Sequence, residues 1–274
     1  MTPDELLAAR YGVSAPSAPQ AWSTLIEQLL GHRSVRHYLP DAVSDDQLTA
    51  IVAAAQSAAS SSNLQAWSVV AVRDAATRAA LATCAGEQAH VREAPLQLVW
   101  LLDLARLQAV AGQVGVSPDA LPFMEMFVVG VIDAALAAQN ALAAAQSLGL
   151  SGCYIGGLRN QPLAVAELLG LPPQVFAVFG MTLGTEDPAA PAASIKPRLP
   201  QSVVLHHERY VPVQAQMPGI EAYNEAMAHF YAQQQMAVRG TWSVHSARRV
   251  ANAQALTGRD QLVDALHQLG FGLK

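Results

Sequence analysis

Apolar residues recur along this chain at two spacings, one helical and one extended. PDELLAAR at 3–10 places Pro3 in a first turn with acidic residues behind it, which predicts a short helix. VSAPSAPQ at 13–20 reads as a connector, so residues 1–21 are expected to form an appendage of one helix and a linker. Trp22, Leu25, Ile26, Leu29 and Leu30 then fall at helical spacing, and Gly31 closes that helix. HRSVRHYLP at 32–40 is a polar, arginine-bearing loop. Ser44, with Gln47 three residues on, has the form of a capping box before a helix whose buried stripe is Leu48, Ile51, Val52 and Ala55.

Beyond the polar run at 60–63, WSVVAV at 67–72 is rich in β-branched residues and predicts a strand. Residues 74–85 look helical, and the continuous apolar run 96–102 suits a strand buried on both faces. Residues 122–148 form a long, alanine-rich helix with Asp133 and Asn140 on one face; its small side chains favour a central or interface position. SGCYIGG at 151–157 is a short strand entering a glycine turn. Residues 162–169 form a helix stopped by Gly170, and 175–183 a buried strand ended by Gly184. The alternation implies a sheet covered by helices. Residues 185–202 are proline-rich, and two polar helices follow near 219–235 and 259–269, joined by a loop at 238–245. The simplest organisation is a single domain over 22–274, with a C-terminal excursion at about 203–260.

Composition narrows the function. The 274 residues are 52% hydrophobic and only 14% charged, which excludes a disordered chain. The apolar stretch 127–150 is interrupted by Asp133, Gln139, Asn140 and Gln146, so no bilayer span of about 20 unbroken residues is expected, and no membrane partner. A net charge of −5 argues against nucleic acid. Cys84 and Cys153 cannot build a disulfide framework, and the N-terminal residues lack the pattern of a signal peptide, so a cytoplasmic location is expected.

No GxGxxG, GxxxxGK[ST] or GxSxG motif occurs, which disfavours Rossmann, phosphate-loop and serine-hydrolase chemistry. No HExxH occurs and His206-His207 are adjacent, so no metal site is expected. Three polar constellations remain: His32-Arg33-Ser34-Val35-Arg36, Lys196-Pro197-Arg198, and the glycine-bearing turn from Gly152 to Gly157. Each alone reads as a surface loop or an ordinary turn. Together with the serine cluster they suit an anionic cofactor with a planar ring.

RSVRHY at 33–38, SSSNLQ at 60–65, GEQAHV at 86–91, SLGLSGCYIGGLRNQP at 147–162 and KPRLP at 196–200 occur in an order that closely resembles the FMN-dependent nitroreductase superfamily. The likeness is to its oxygen-insensitive, NADPH-dependent nitroreductase and flavin reductase branch, and it runs from about residue 22 to the C-terminus. It implies an α+β fold, with a central, mostly antiparallel sheet flanked by helices, working as a homodimer with FMN at the subunit interface. By the resemblance, His32, Arg33, Ser34 and Arg36 hold the FMN phosphate and ribityl chain, and Ser60, Ser61 and Ser62 lie near the flavin. Gln88 approaches the ring, the turn Tyr154, Ile155, Gly156 and Gly157 lies against it, and Lys196 and Arg198 serve the phosphate and pyrimidine edge. No catalytic side chain is implied, since hydride transfer occurs at flavin N5.

The implied activity is ping-pong, two-electron reduction of a small-molecule acceptor (a nitroaromatic, a quinone or free flavin), with NADPH or NADH as donor. This branch often places several arginines around the NADPH 2′-phosphate, whereas QQQMAVRGTW carries one, Arg239, with Arg248 and Arg249 further on. A loose preference between the two donors is therefore expected. Two other readings share the scaffold: a flavin-dependent dehalogenating or flavin-remodelling relative, and a non-catalytic flavin-binding protein.

Overall fold

Polar side chains start several helices by reaching back to their first amides. In the computed structural model, which describes all 274 residues, Thr2 and Glu5 close a capping box over α1 (Pro3–Tyr11). Ser23 caps α2 (Thr24–Leu30), and the predicted Ser44–Gln47 box opens α3 (Asp45–Gln56), with reciprocal bonds of 3.0 and 3.1 Å. Next come β1 (Trp67–Val72), α4 (Ala75–Cys84), α5 (Ala89–Glu93), β2 (Leu96–Asp103) and α6 (Ala105–Gln113). The second half holds α7 (Met124–Ser147), β3 (Ser151–Ile155), α8 (Pro162–Leu169), β4 (Val175–Gly184), α9 (Gln201–Val204), α10 (Val213–Gln233), α11 (Trp242–Arg249) and α12 (Leu262–Gln268).

Three elements depart from the sequence expectation. α6, not expected from the sequence, has no fully buried residue and meets the core only through the half-buried Ala105 and Leu107. α10 begins six residues before the expected start and runs through Pro218. The expected loop at 238–245 already contains the start of α11, where the Val244 amide donates to the Thr241 hydroxyl at 3.4 Å.

The chain forms two bodies: residues 1–33 with 193–256, and residues 34–192 with 257–274. In the first, α1 packs on α2, and α10 supplies a small core of Tyr223, Met227 and Phe230, with Trp242 edge-on to Tyr223 at 5.1 Å. In the second, four strands lie in the order β1-β2-β4-β3, antiparallel throughout. The central pair is almost wholly buried, as the unbroken apolar runs require. Leu96, Leu98 and Trp100 of β2 face α3 and α7, while Val99 and Leu101 face the cluster shared with α4 and α8. A bulge at Trp100/Leu101 shifts the register against β4.

α7 is long and apolar enough to cross a bilayer by length and composition, despite the interruptions noted in its sequence. Its packed face is fully committed: Ala134, Ala137, Ala138 and Ala141 are inaccessible, and Gly130 lies so close to Leu102 that a Cβ would meet its Cγ at 2.6 Å. The C-terminal residues close the start of this helix, with the Lys274 amide bonded to the Pro122 carbonyl and the Met124 amide to the Lys274 carbonyl, both at 3.0 Å.

Candidate functional site

In the first body the cationic residues are gathered by one arginine that the motifs did not mark. Arg10, in the last turn of α1, is only 5% exposed. Its Nε donates to the Leu30 carbonyl at 2.9 Å, Nη1 to that of Lys196 at 2.8 Å and Nη2 to that of His32 at 2.5 Å. Its own carbonyl accepts the Arg198 amide at 2.7 Å. Burial, and then the nearby charge of Arg198, lower its pKa to about 10.

The segment 196–198 is held from several sides. Arg198 Nη1 lies 3.2 Å from the carbonyls of Lys196 and Pro197, and the Tyr223 hydroxyl donates to Pro197 at 3.1 Å. Lys196 Nζ stands 6.0 Å from the Phe230 ring centroid. Arg33 Nη1 donates to the Ala193 carbonyl at 3.1 Å, and Arg33 borders a cavity of about 890 Å³ together with Ile195, Pro197 and Phe230. A second cavity of about 350 Å³ is lined by Lys196, Tyr231, Arg239, His245 and Arg248. Arg239 therefore does not stand alone: α11 brings His245 and Arg248, three and six residues beyond its first residue Trp242, to the same cavity.

In the second body, Ser34 pairs with Gly152 in a parallel bridge and the Val35 amide donates to the Gly152 carbonyl at 3.3 Å, so the arginine-bearing loop runs beside β3. Arg36 is exposed, with Nη1 3.4 Å from the Ser34 carbonyl. The Tyr38 hydroxyl donates to the Val35 carbonyl at 2.6 Å and shares a hydrogen bond with Thr182 at 2.8 Å, and burial raises its pKa.

The serine loop is built on Asp133 of α7. Its buried carboxylate accepts the Ser60 hydroxyl and the amides of Ser61 and Ala66. Ser62, Asn63 and Gln65 all carry positive φ, between 49° and 56°, which is unusual for residues with a Cβ. The anchored carboxylate supplies what holds that conformation.

The glycine turn follows β3 as a 3₁₀ turn over 156–160. Ile155 is buried, and Tyr154 meets Phe179 edge-on at 5.3 Å. A Cβ on Gly157 would come within 2.6 Å of the Ala85 carbonyl and 2.8 Å of Gln88 Nε2, so the turn and the Gln88 side chain pack directly together. Gln88 Nε2 in turn donates to Ala85 at 2.8 Å. Arg159 covers Gly156 and donates to the Val178 carbonyl.

The cations of the first body fit the phosphate of an anionic flavin nucleotide, while in the second body the glycines of the turn allow close packing, Gly157 against Ala85 and Gln88 and Gly156 under Arg159. A helix-covered antiparallel sheet with a cation-bearing loop system makes this an α+β protein equipped for an anionic ligand. The chain belongs to the nitroreductase family: the Nitroreductase family model matches residues 29–185, and the family's C-terminal domain model matches 196–274. It is 39% identical over 254 residues to the oxygen-insensitive NADPH nitroreductase of Salmonella typhimurium, covering 92% of this chain and all of that one. The structure of Bacillus megaterium NfrA1 superposes with a TM-score of 0.84 at 36% identity, covering 91% of this chain and all of that one. The NADPH:FMN oxidoreductase of Vibrio harveyi complexed with NAD+ does so with a TM-score of 0.80, also at 36% identity, over 92% and 100%.

Proposed function

We propose that this chain is an FMN-dependent NAD(P)H oxidoreductase that reduces nitroaromatics, quinones or free flavin. The observation that carries this reading is the grouping of cations around the buried Arg10, whose backbone hydrogen bonds hold the exposed Lys196 and Arg198 close beside it. Such a grouping of positive charge favours an anion at its surface. When bound, FMN supplies two-electron transfer from NAD(P)H to an acceptor in alternating half-reactions.

The protein's part is binding and positioning. His32, Arg33, Lys196 and Arg198 are assigned to the flavin phosphate and the pyrimidine edge, with Ser34 and Arg36 next along the same loop. Ser60, Ser61 and Ser62 are assigned to the flavin's surroundings, with Asp133 as their support. Gln88, Tyr154, Ile155, Gly156 and Gly157 are assigned to the ring, where a backbone amide of the turn would be available to hydrogen-bond a flavin nitrogen. The cavity with Lys196, Arg239, His245 and Arg248 is assigned to the nicotinamide donor's 2′-phosphate, which favours NADPH over NADH more than Arg239 alone would.

A homodimer is supported by α7, whose outer face leaves Val128, Ile132 and Leu136 exposed by 42–50% at successive turns. Cys84 and Cys153 are buried, unbridged thiols, in keeping with a cytoplasmic setting. The test is the visible spectrum of the purified protein, anaerobically, before and after one equivalent of NADPH and then of NADH. Bleaching of a yellow protein is expected, more readily by NADPH. A yellow protein that neither donor bleaches would point to flavin binding without catalysis. One that no added FMN can colour would overturn the cofactor reading.

A further inference from the structure

The N-terminal segment lies outside the family pattern, which begins at residue 29, yet it supplies Arg10. This guanidinium spends its Nε and both Nη atoms on backbone carbonyls from two places far apart in sequence: residues 30 and 32 on one side and residue 196 on the other. A planar fork holds three carbonyls in fixed relation better than any other side chain. The main chain at Arg10 adds a fourth tie by accepting the Arg198 amide. The stretches that carry the cations, His32 and Arg33 on one and Lys196 and Arg198 on the other, are thus tied to one common residue.

The electrostatics point the same way. Arg10 is buried, and each of its three donated bonds ends on a neutral carbonyl rather than a carboxylate. Arg198 lies close enough for its charge to act on it. An unneutralised buried charge is expensive. Positive charge kept here favours an anion at the surface that these two stretches share.

We propose that Arg10 is a positioning residue for the flavin phosphate: it sets the paths of both cation-bearing segments and adds its own unneutralised charge to their field. This rests on the FMN reading given above.

The test compares FMN with riboflavin, which has the ring and ribityl chain but no phosphate. Full-length wild type, Arg10→Ala and Arg10→Lys are titrated with each flavin by fluorescence quenching, and their thermal transitions are recorded. Arg10→Ala is expected to weaken FMN about tenfold or more, from the loss of charge-assisted bonds that place the phosphate ligands. Riboflavin binding should stay within about twofold on the same grounds. Arg10→Lys keeps the charge but not the fork, so it should fall between, with the same selectivity for FMN; it carries the test if the alanine variant does not fold. An unchanged FMN-to-riboflavin ratio in the folded variants, or parallel weakening of both flavins, would overturn the role. Wild type that binds neither flavin would instead overturn the cofactor reading, and this proposal with it.

Discussion

The Oδ2 atom of Asp133 accepts the Ser60 hydroxyl at 2.8 Å, which makes a buried carboxylate the foundation of the serine loop. The same side chain accepts the amides of Ser61 and Ala66, both at 3.1 Å. Asp133→Asn replaces one acceptor oxygen by a donor facing N–H or O–H groups, at a cost of about 2–3 kcal/mol. Urea unfolding measures that loss. Hydrogen exchange at Ser61 and Ala66 should speed up in step, whereas unchanged protection there would show that the loop holds itself.

Gly157 admits no side chain without displacing backbone. An alanine Cβ would lie 2.6 Å from the Ala85 carbonyl and 2.8 Å from Gln88 Nε2. Gly157→Ala is expected to lower stability by about 1–3 kcal/mol, as overpacking does. Gly112→Ala is the control: it sits in α6 with open space around it, and should be neutral or raise stability by about 0.5–1 kcal/mol. Thermal unfolding of the pair separates crowding from backbone entropy.

His90 sets a pH dependence. It is buried, its Nε2 has no hydrogen-bond partner, and its pKa is pulled down to about 4 by burial, then by the charges of Arg36 and His37. Between about pH 6.5 and pH 4 the unfolded chain takes up a proton here that the folded chain refuses, so stability falls as the pH falls through that window. The full effect is of order 3 kcal/mol. His90→Gln should remove this component, so urea titrations of variant and wild type near pH 7.5 and pH 5 should show a shallower decline for the variant. Identical slopes would place the histidine's titration elsewhere.

Arg248 and Arg239 share a cavity with Lys196 and His245. Arg248→Ala should raise the KM for NADPH about tenfold and that for NADH less than about twofold, since a charge-assisted bond to phosphate is at stake. Steady-state kinetics with both donors measures the split. Equal changes would remove any 2′-phosphate role for α11.

Ile132 stands half-exposed on the outer face of α7, between Val128 and Leu136. Ile132→Glu leaves the packed alanine face untouched and should cost the isolated subunit less than about 0.5 kcal/mol. In a dimer closed over this stripe it buries an unpaired charge. Sedimentation should therefore find monomers for the variant and dimers for the wild type. A variant that remains dimeric would move the interface to another face.

The strands and principal helices were legible because each satisfies a local rule. The Ser44–Gln47 box, the unbroken apolar run of β2 and the Gly170 stop carry their reasons within a few residues. α6 was not legible, since it is short and touches the core only lightly, through the half-buried Ala105 and Leu107. Asp133 looked like a polar interruption of an apolar helix; its purpose lies 67–73 residues away, in the loop and strand start it supports. Arg10 ends the PDELLAAR helix with no local mark of burial. Its partners at Leu30, His32 and Lys196 are visible only when the chain has folded. Arg248 was discounted by its distance along the sequence from Arg239, which α11 shortens in space.

The Arg10–Lys196 hydrogen bond also places a clock on the molecule's assembly, because its partners are 186 residues apart. During synthesis, α1 waits while all of β1 to β4 is made, and the strands can pair before Lys196 exists. At about 5–20 residues per second that interval lasts on the order of 10–40 s. The cations assigned to the phosphate therefore come into register only after that delay, and a nascent chain halted before residue 196 would have its sheet strands but not this cluster.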